Sequence, residues 1–435
     1  MLIINNEKLL DFLQFTYTLQ EIKIISEFLE DQNTFNFPCL ESGLFSAATL
    51  TEDAEYTGYT SVWVRDNIHV AHSHYVLGNF AIASRNAQAL MNYFHKYKHR
   101  FEKIIDAGTV PENVMERPHI RFDGVTLTEI DQQWAHAQND ALGYFLWFYC
   151  KLIIDGKITP KPEDLKTLAL FPLYFQTIAY WQDEDSGHWE EIRKIAASSM
   201  GVVVAALTSL KEMLIAQPNL AENLSYQEQT ITINFVDQLL QKGNQELDKI
   251  LPFECIQAGE KRREYDGALL FLIYPLKVVN ENQSEHIIQN VSNNLQGNYG
   301  IKRYLKDSFW AADYKEKLDP EARTVDFSED MSFRDSLIQE NQEAQWCIFD
   351  PILSIIFGLK FQETHQEKYL EQQTWYLNRS LGQLTSKDCP AGELKCPELY
   401  YLEKGQYVPN DVVPLLWTQA NLSMALKFME DSLKL

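Results

Sequence analysis

At 435 residues, 45% of them hydrophobic and 23% charged, the chain has the make-up of a folded protein with a large core, and by length alone it has room for two or three domains. The balance of 38 Lys plus Arg against 61 Asp plus Glu, a net charge of −23, repels polyanions and argues against nucleic acid and anionic membrane as partners. Neutral sugars are indifferent to that field, and a 12% aromatic content supplies flat apolar faces for sugar rings to stack on, although any single aromatic is more commonly core.

The first residues, Met1-Leu2-Ile3-Ile4-Asn5-Asn6-Glu7, lack a basic run followed by a long apolar one. No window reads as holding the ~18 apolar residues of a membrane span, so a cytoplasmic protein is expected. Helical periodicity then covers residues 7 to 30 and 67 to 104. Over residues 134 to 152 the apolar face is Trp134, Ala141, Leu142, Phe145, Tyr149 and Leu152, interrupted by Gln138, a polar group that must find a partner. A run at 163 to 181 follows, and residues 189 to 214 repeat the pattern with Ile192, Ile195, Ala196, Val203, Ala206, Leu207, Leu210 and Leu214. Further runs occupy 227 to 249, 283 to 295, 342 to 359 and 364 to 380, while the charged stretch from Asp313 to Glu340 has no clear period and reads as a solvated loop or a lid. The last helix is expected to hold Pro414 in its first turn and to face inward through Trp417, Ala420, Met424 and Phe428.

Strand-like alternation is scarce, and the breaks between runs are polar or contain Pro and Gly without forming a low-complexity linker. The expectation is an all-α fold of ten or more antiparallel helices in one domain, 1–435, with residues 1–34 a helical segment packed on it. Six scattered cysteines, Cys39, Cys150, Cys255, Cys347, Cys389 and Cys396, fit buried reduced thiols better than a disulfide framework. Cys389 and Cys396 are spaced for a local bridge or half a zinc site, but no His or Cys stands nearby to complete four ligands. Neither a metal nor a cofactor is implied.

Two segments carry candidate chemistry. In Asp185-Ser186-Gly187-His188-Trp189-Glu190-Glu191 a carboxyl stands against an indole, and an apolar wall raises a carboxyl pKa toward that of a proton donor. Pro397-Glu398-Leu399-Tyr400-Tyr401 again sets one Glu among aromatics. Two carboxyls of this kind suit glycoside hydrolysis, in which one protonates the leaving oxygen and the other, roughly 6.5 to 9.5 Å away in the inverting route, activates water.

The order of motifs resembles glycoside hydrolase family 15, the glucoamylase-like proteins, and most closely the glucoamylase-like domain of phosphorylase kinase alpha and beta subunits. Five blocks carry the resemblance: Trp63-Val64-Arg65-Asp66; Trp134 to Ala141; Asp185 to Glu191 with Ala197-Ser198-Ser199-Met200-Gly201; Asn298 to Asp307, which contains an R-Y-x-x-D element; and Pro397 to Trp417. Together they span roughly residues 35 to 430.

The resemblance implies an (α/α)6 toroid with these blocks on loops at one end. It also implies Glu190 as general acid and Glu398 as general base, with an α-glucoside or oligosaccharide as substrate. By the family pattern Arg65 and Asp66, with Trp63, hold the terminal sugar, the alternative being a helix-start salt bridge. Arg303 serves the neighbouring subsite, held by Asp307. Trp134 and Trp189 either stack on sugar and shield the acid or pack in the core, and Glu191 either binds substrate or is a first-turn helix carboxylate. The chain ends soon after its last helix and has no visible leader or starch-binding module, so it reads as the bare glucoamylase-like domain. Three functions follow as alternatives: an inverting exo-acting hydrolase; a module that holds an oligosaccharide or a partner enzyme of glycogen metabolism; and a helical scaffold without a sugar site.

Overall fold

The computed structural model describes residues 2–49, 58–338 and 341–435, so Glu340, the end of the charged stretch, lies outside the described residues. The helices alternate between an outer and an inner layer. Outer α1 (Leu19–Asp31) precedes inner α2 (Val64–Val76); outer α3 (Phe80–Lys96), extended by α4 (His99–Ala107), precedes inner α5 (Asn139–Ile154). Outer α6 (Pro162–Thr177) leads to inner α7 (Ala197–Ala216), and outer α8 (Ile233–Ile250) to the short inner α9 (Leu270–Ile273). After outer α10 (Glu281–Asn294) come two single-turn helices, α11 (Tyr314–Lys317) and α12 (Ser332–Asp335), then inner α13 (Phe349–Thr364), outer α14 (Glu367–Gly382) and inner α15 (Leu416–Ser432).

The inner helices close a ring: α2 packs on α5, α5 on α7, α7 on α9, α9 on α13, α13 on α15, and α15 back on α2. This is the (α/α)6 toroid. One apolar cluster runs through it from Leu9 to Met429. The inner helices are buried on nearly every face because protein surrounds them, so that α2 buries even Asn67, His69 and His72, whereas outer helices such as α1, α8 and α10 keep an apolar stripe. Contrary to the sequence reading, α7 is long and apolar enough to cross a membrane by length and composition; 72% of its apolar window is buried inside the fold, so packing on α5 and α8 accounts for its apolarity.

Local chemistry sets the helix ends. Thr18 and Glu21 form a capping box that starts α1, and Asn280 with Gln283 does the same for α10. These ends also correct the expected runs. The run 7–30 holds only a single turn, Glu7–Leu9, before α1; the run 67–104 is three helices, broken at Gly78 (φ +85°) and again before His99. Residues 134–138 and 189–196 are not helical: α5 starts at Asn139 and α7 at Ala197. Pro414 precedes α15, whose first amides bond elsewhere, Leu415 N–H to Cys396 O and Leu416 N–H to Ala47 O. Cys39 is exposed and Cys389 half-buried, and no cysteine among the described residues is bridged. Asn5 and Asn6 tie the N-terminal segment to Gly382 and Thr385.

Short antiparallel sheets anchor the loops at one end of the ring. β1 (Val62–Trp63), β2 (Arg121–Asp123) and β3 (Thr128–Glu129) form one, and β4 (Ser225–Tyr226) pairs with β5 (Gln229–Thr230) on the outside. β6 (Gln345–Trp346), β7 (Leu399–Glu403) and β8 (Gln406–Pro409) form the third. β1 runs directly into α2, and Glu398 immediately precedes β7, its amide bonded to Val412 O and its carbonyl accepting from Cys347 N–H. That double pin sets the direction of the Glu398 side chain.

The hairpin of α13 and α14 is tied by a buried pair, Arg379 Nε to Asp350 Oδ1 at 2.5 Å, with Arg379 also donating to Gly297 O and Gly300 O. Removing one partner strands a buried charge, at a cost of about 3–5 kcal/mol. Arg379→Met is therefore expected to lower the urea midpoint by that amount of stability at unchanged slope.

Candidate active site

At the end of the ring where the inner helices begin, a cavity of about 100 Å³ is bordered by Tyr59, Trp63, Arg65, Asp66, Trp134, Trp189, Glu190, Arg303, Trp346, Glu398 and Trp417, among others. A water fills roughly 10–15 Å³ by this measure, so the space holds several waters or one sugar ring. Eight residues singled out from sequence are thus brought to one cavity: Trp63, Arg65, Asp66, Trp134, Trp189, Glu190, Arg303 and Glu398. Glu191 is not among them.

Glu190 caps the short turn Gly187–Trp189 with φ 58°, a left-handed conformation uncommon for a residue with a side chain. The turn sends two neighbouring carboxyls to different places. Glu190 borders the cavity, its Oε1 accepting from Trp63 Nε1 at 2.9 Å and more loosely from Arg65 Nη2 at 3.4 Å. Burial pushes its pKa up, against the pull of Arg65 and Arg121, and the charge of Asp326 pushes the same way.

Glu191 points away, with no solvent exposure. Its oxygens accept from Arg303 (3.0 Å), Arg334 (2.9 Å), Tyr304 Oη (2.6 Å) and Arg263 (3.1 Å). Burial pushes this carboxyl up, but Arg303, Arg263 and Arg334 overcome that push and hold it below the ordinary carboxylate range. The expectation that Glu191 either binds substrate or serves as a first-turn helix carboxylate is corrected: its lone pairs are taken by protein, and α7 starts only at Ala197. Arg303 is gripped by Asp307 through two bonds, 2.6 and 2.7 Å, and lies near the Trp189 and Trp346 rings.

Glu398 is buried, with Oε1 accepting from Tyr59 Oη at 2.7 Å and Oε2 from Asn410 Nδ2 at 2.5 Å. Burial raises its pKa to about 7, opposed by the Tyr59 and Asn410 hydrogen bonds. The Tyr59 and Trp63 rings lie 5.4 Å apart, so the two candidate carboxyls are joined by a chain of two aromatic residues.

Arg65 and Asp66 stand in the first turn of α2. Arg65 does form a salt bridge there, Nη1 to Asp140 Oδ2 at 2.8 Å, and it also donates to Gln138 Oε1, the partner that interrupted stripe required. Asp66, 9% exposed, has no hydrogen bond or ion pair to another side chain among the described residues; burial raises its pKa to about 6 against the pull of Arg65. Asp185 does structural work, accepting from Asn139 N–H and Ser199 Oγ to tie the starts of α5 and α7.

Sequence reasoning missed Tyr59, Asn410, Trp346, Trp417 and the segment Thr324–Phe327 with Arg334 as parts of this site. Tyr59 lies just outside a block that was recognised, whereas the segment belongs to the stretch read as a solvated loop or lid. Part of that stretch borders the cavity and is tied to the acid-bearing segment: Arg334 pairs with Glu191, and Ile192 N–H meets Met331 Sδ at 3.3 Å.

Residues 34–319 match the family described as Glycosyl hydrolases family 15. The chain is 24% identical over 334 residues to the liver isoform of phosphorylase b kinase regulatory subunit alpha from Mus musculus, which covers 71% of this chain and 24% of that protein. It thus spans about a quarter of the length of that relative. Its fold is similar to that of a glycosidase variant in complex with glucose (15% identical, TM-score 0.63, 96% of this chain and 98% of that one). It is also similar to that of glucoamylase from Saccharomycopsis fibuligera (12% identical, TM-score 0.56, 97% of each chain).

The raised Glu398 pKa has a consequence for stability. Between its unfolded value near 4.5 and about 7 the folded chain holds the proton more tightly, so the stabilisation is present at low pH and lost as pH rises through that window. The full shift corresponds to about 3 kcal/mol. Glu398→Gln, which cannot ionise, is expected to gain stability relative to the unchanged chain between pH 4.5 and 8 by an amount of that order, read from denaturant midpoints at the two pH values.

Proposed function

The chain belongs to glycoside hydrolase family 15, and on that premise we propose that it is an inverting, exo-acting hydrolase of α-glucosides. The observation that carries this reading is that Glu190 and Glu398, from distant parts of the chain, border one cavity of sugar size, both with raised pKa values. Glu190, its pKa raised by burial, donates a proton to the leaving oxygen. Glu398 takes a proton from water on the opposite face, and a pKa of about 7 puts its ionisation close to neutral pH, where a general base is most effective. Asp66, with its carboxylate unclaimed by other side chains, and Arg65, oriented by Asp140, hold hydroxyls of the terminal glucose. Trp63 and Tyr59 hold the two carboxyls in position, while Trp134, Trp346 and Trp417 supply apolar walls.

The similarity to phosphorylase b kinase regulatory subunits supports a second reading, a module that binds an oligosaccharide and regulates a partner enzyme of glycogen metabolism without turnover.

α-Glucosyl fluoride separates the carboxyls and the readings. Fluoride departs without protonation, so Glu190→Gln is expected to lose about 10²- to 10⁴-fold on an oxygen glucoside yet keep much of its rate on the fluoride. Glu398→Gln is expected to fail on both, and proton NMR of the unchanged enzyme is expected to show β-glucose as the first product. Equal losses on both substrates, or α-glucose first, would overturn the roles. Oligosaccharide binding with no glucose released from any α-glucoside would leave the regulatory reading.

A further inference from the structure

The cavity wall at 324–327 plays no part in the reading above. It lies beyond the matched residues 34–319, between α11 and α12. Asp326 Oδ1 accepts the Ser328 N–H at 2.8 Å, and Oδ2 is buried without a hydrogen-bond partner among the described residues, although the residue borders the cavity. A buried carboxylate oxygen left unsatisfied is rare in a folded protein and calls for an explanation.

The segment that presents Asp326 is held firmly. Arg334 Nη2 donates to Glu191 at 2.9 Å, Arg193 lies 3.6 Å from Glu329, and Ile192 N–H meets Met331 Sδ. These contacts fasten the segment to Glu191, Ile192 and Arg193, the residues that directly follow Glu190, so Asp326 borders the cavity on the side of the carboxyl assigned to the leaving oxygen.

Charge points the same way. The three guanidiniums on the wall are paired with buried carboxylates: Arg65 with Asp140, Arg303 with Asp307 and Glu191, and Arg334 with Glu191. The remaining carboxyls on the wall other than the acid Glu190, namely Asp66, Glu398 and Asp326, have no such guanidinium partner and make the cavity unfavourable to an anion when they are ionised. Asp66, nine-tenths buried and without a side-chain hydrogen bond or ion pair among the described residues, is a second acceptor on the same cavity.

We propose that Asp326 is a specificity-determining residue that selects a leaving group able to donate a hydrogen bond, a sugar or other polyol hydroxyl, and rejects one that carries negative charge. The proposal rests on the hydrolase reading for which side the leaving group takes, but its binding consequence needs no turnover.

Calorimetry on the full chain with glucose, maltose and α-glucose 1-phosphate, every form carrying Glu398→Gln so that maltose is bound and not cleaved, tests it with Asp326 unchanged and as Asp326→Ala and Asp326→Asn. The ratio of maltose to glucose affinity is expected to fall about tenfold in Asp326→Ala. Asp326→Asn, which keeps an acceptor oxygen, retains most of the ratio. In both variants the affinity for α-glucose 1-phosphate relative to glucose rises several-fold, because a like charge has been removed. A ratio unchanged in Asp326→Ala, or glucose and maltose weakened alike, would overturn the proposal, as would a form with Asp326 unchanged that binds maltose no better than glucose. Failure of the hydrolase reading is seen separately, as no release of glucose from maltose by the protein that keeps Glu398, and leaves these ratios decisive.

Discussion

A carboxylate with no access to water stays ionised only if its surroundings replace every interaction water would have supplied, and Glu191 meets that condition with three guanidiniums and a phenol. These partners come from widely separated stretches: Arg263 before α9, Arg303 and Tyr304 after α10, and Arg334 on α12. One buried charge therefore ties three other stretches to its own at the mouth of the ring. It also fixes its neighbour, since the left-handed turn that buries Glu191 is the turn that brings Glu190 to the cavity beside Trp63. Replacing such a cluster with apolar residues need not cost stability, but removing one member strands the others. Its geometric consequence, the placement of Glu190, Arg303 and the 324–334 wall, is what function draws on.

The ring supplies the electrostatic setting. Inner helices start at the cavity end, and a helix start carries partial positive charge that favours carboxylates. Asp66 and Asp140 sit in first turns there, and Asp350 occupies the same place on α13. Burial works against that preference: Asp66 is raised to about 6 and Glu398 to about 7 despite nearby donors and guanidiniums. The balance leaves carboxyls that change charge near neutral pH, the state suited to moving protons. Keeping them in this state makes the site a place where stability is spent, most visibly at Glu398 and at the unsatisfied oxygen of Asp326.

Much of this was legible without coordinates. The 3.6-residue period identifies most of the long helices because a helix packed on a core must repeat its apolar contacts at that interval. The Trp63–Asp66, Asp185–Glu191 and Arg303–Asp307 blocks each marked a segment that reaches the cavity or its support. Period alone placed the helix starts too early at 134 and 189, since apolar residues in an extended strap also face the core; Trp134 borders the cavity from such a strap and Gln138 caps the helix it seemed to interrupt. α9 escaped notice because four residues are too few to show a period, yet it closes the ring between α7 and α13.

By itself, then, the sequence determined the helical content, the order of the motifs and the residues competent for acid–base chemistry, because these depend on neighbours in the chain. Only the tertiary structure decided that Glu191 faces four protein donors instead of a ligand. It alone decided that Tyr59 and Asn410 hold Glu398, and that the aperiodic stretch after α11 is a wall carrying Asp326 and Arg334. Each of these is a pairing or a burial, and the free energy of a buried polar group depends on which atoms from elsewhere in the fold come within about 3 Å of it.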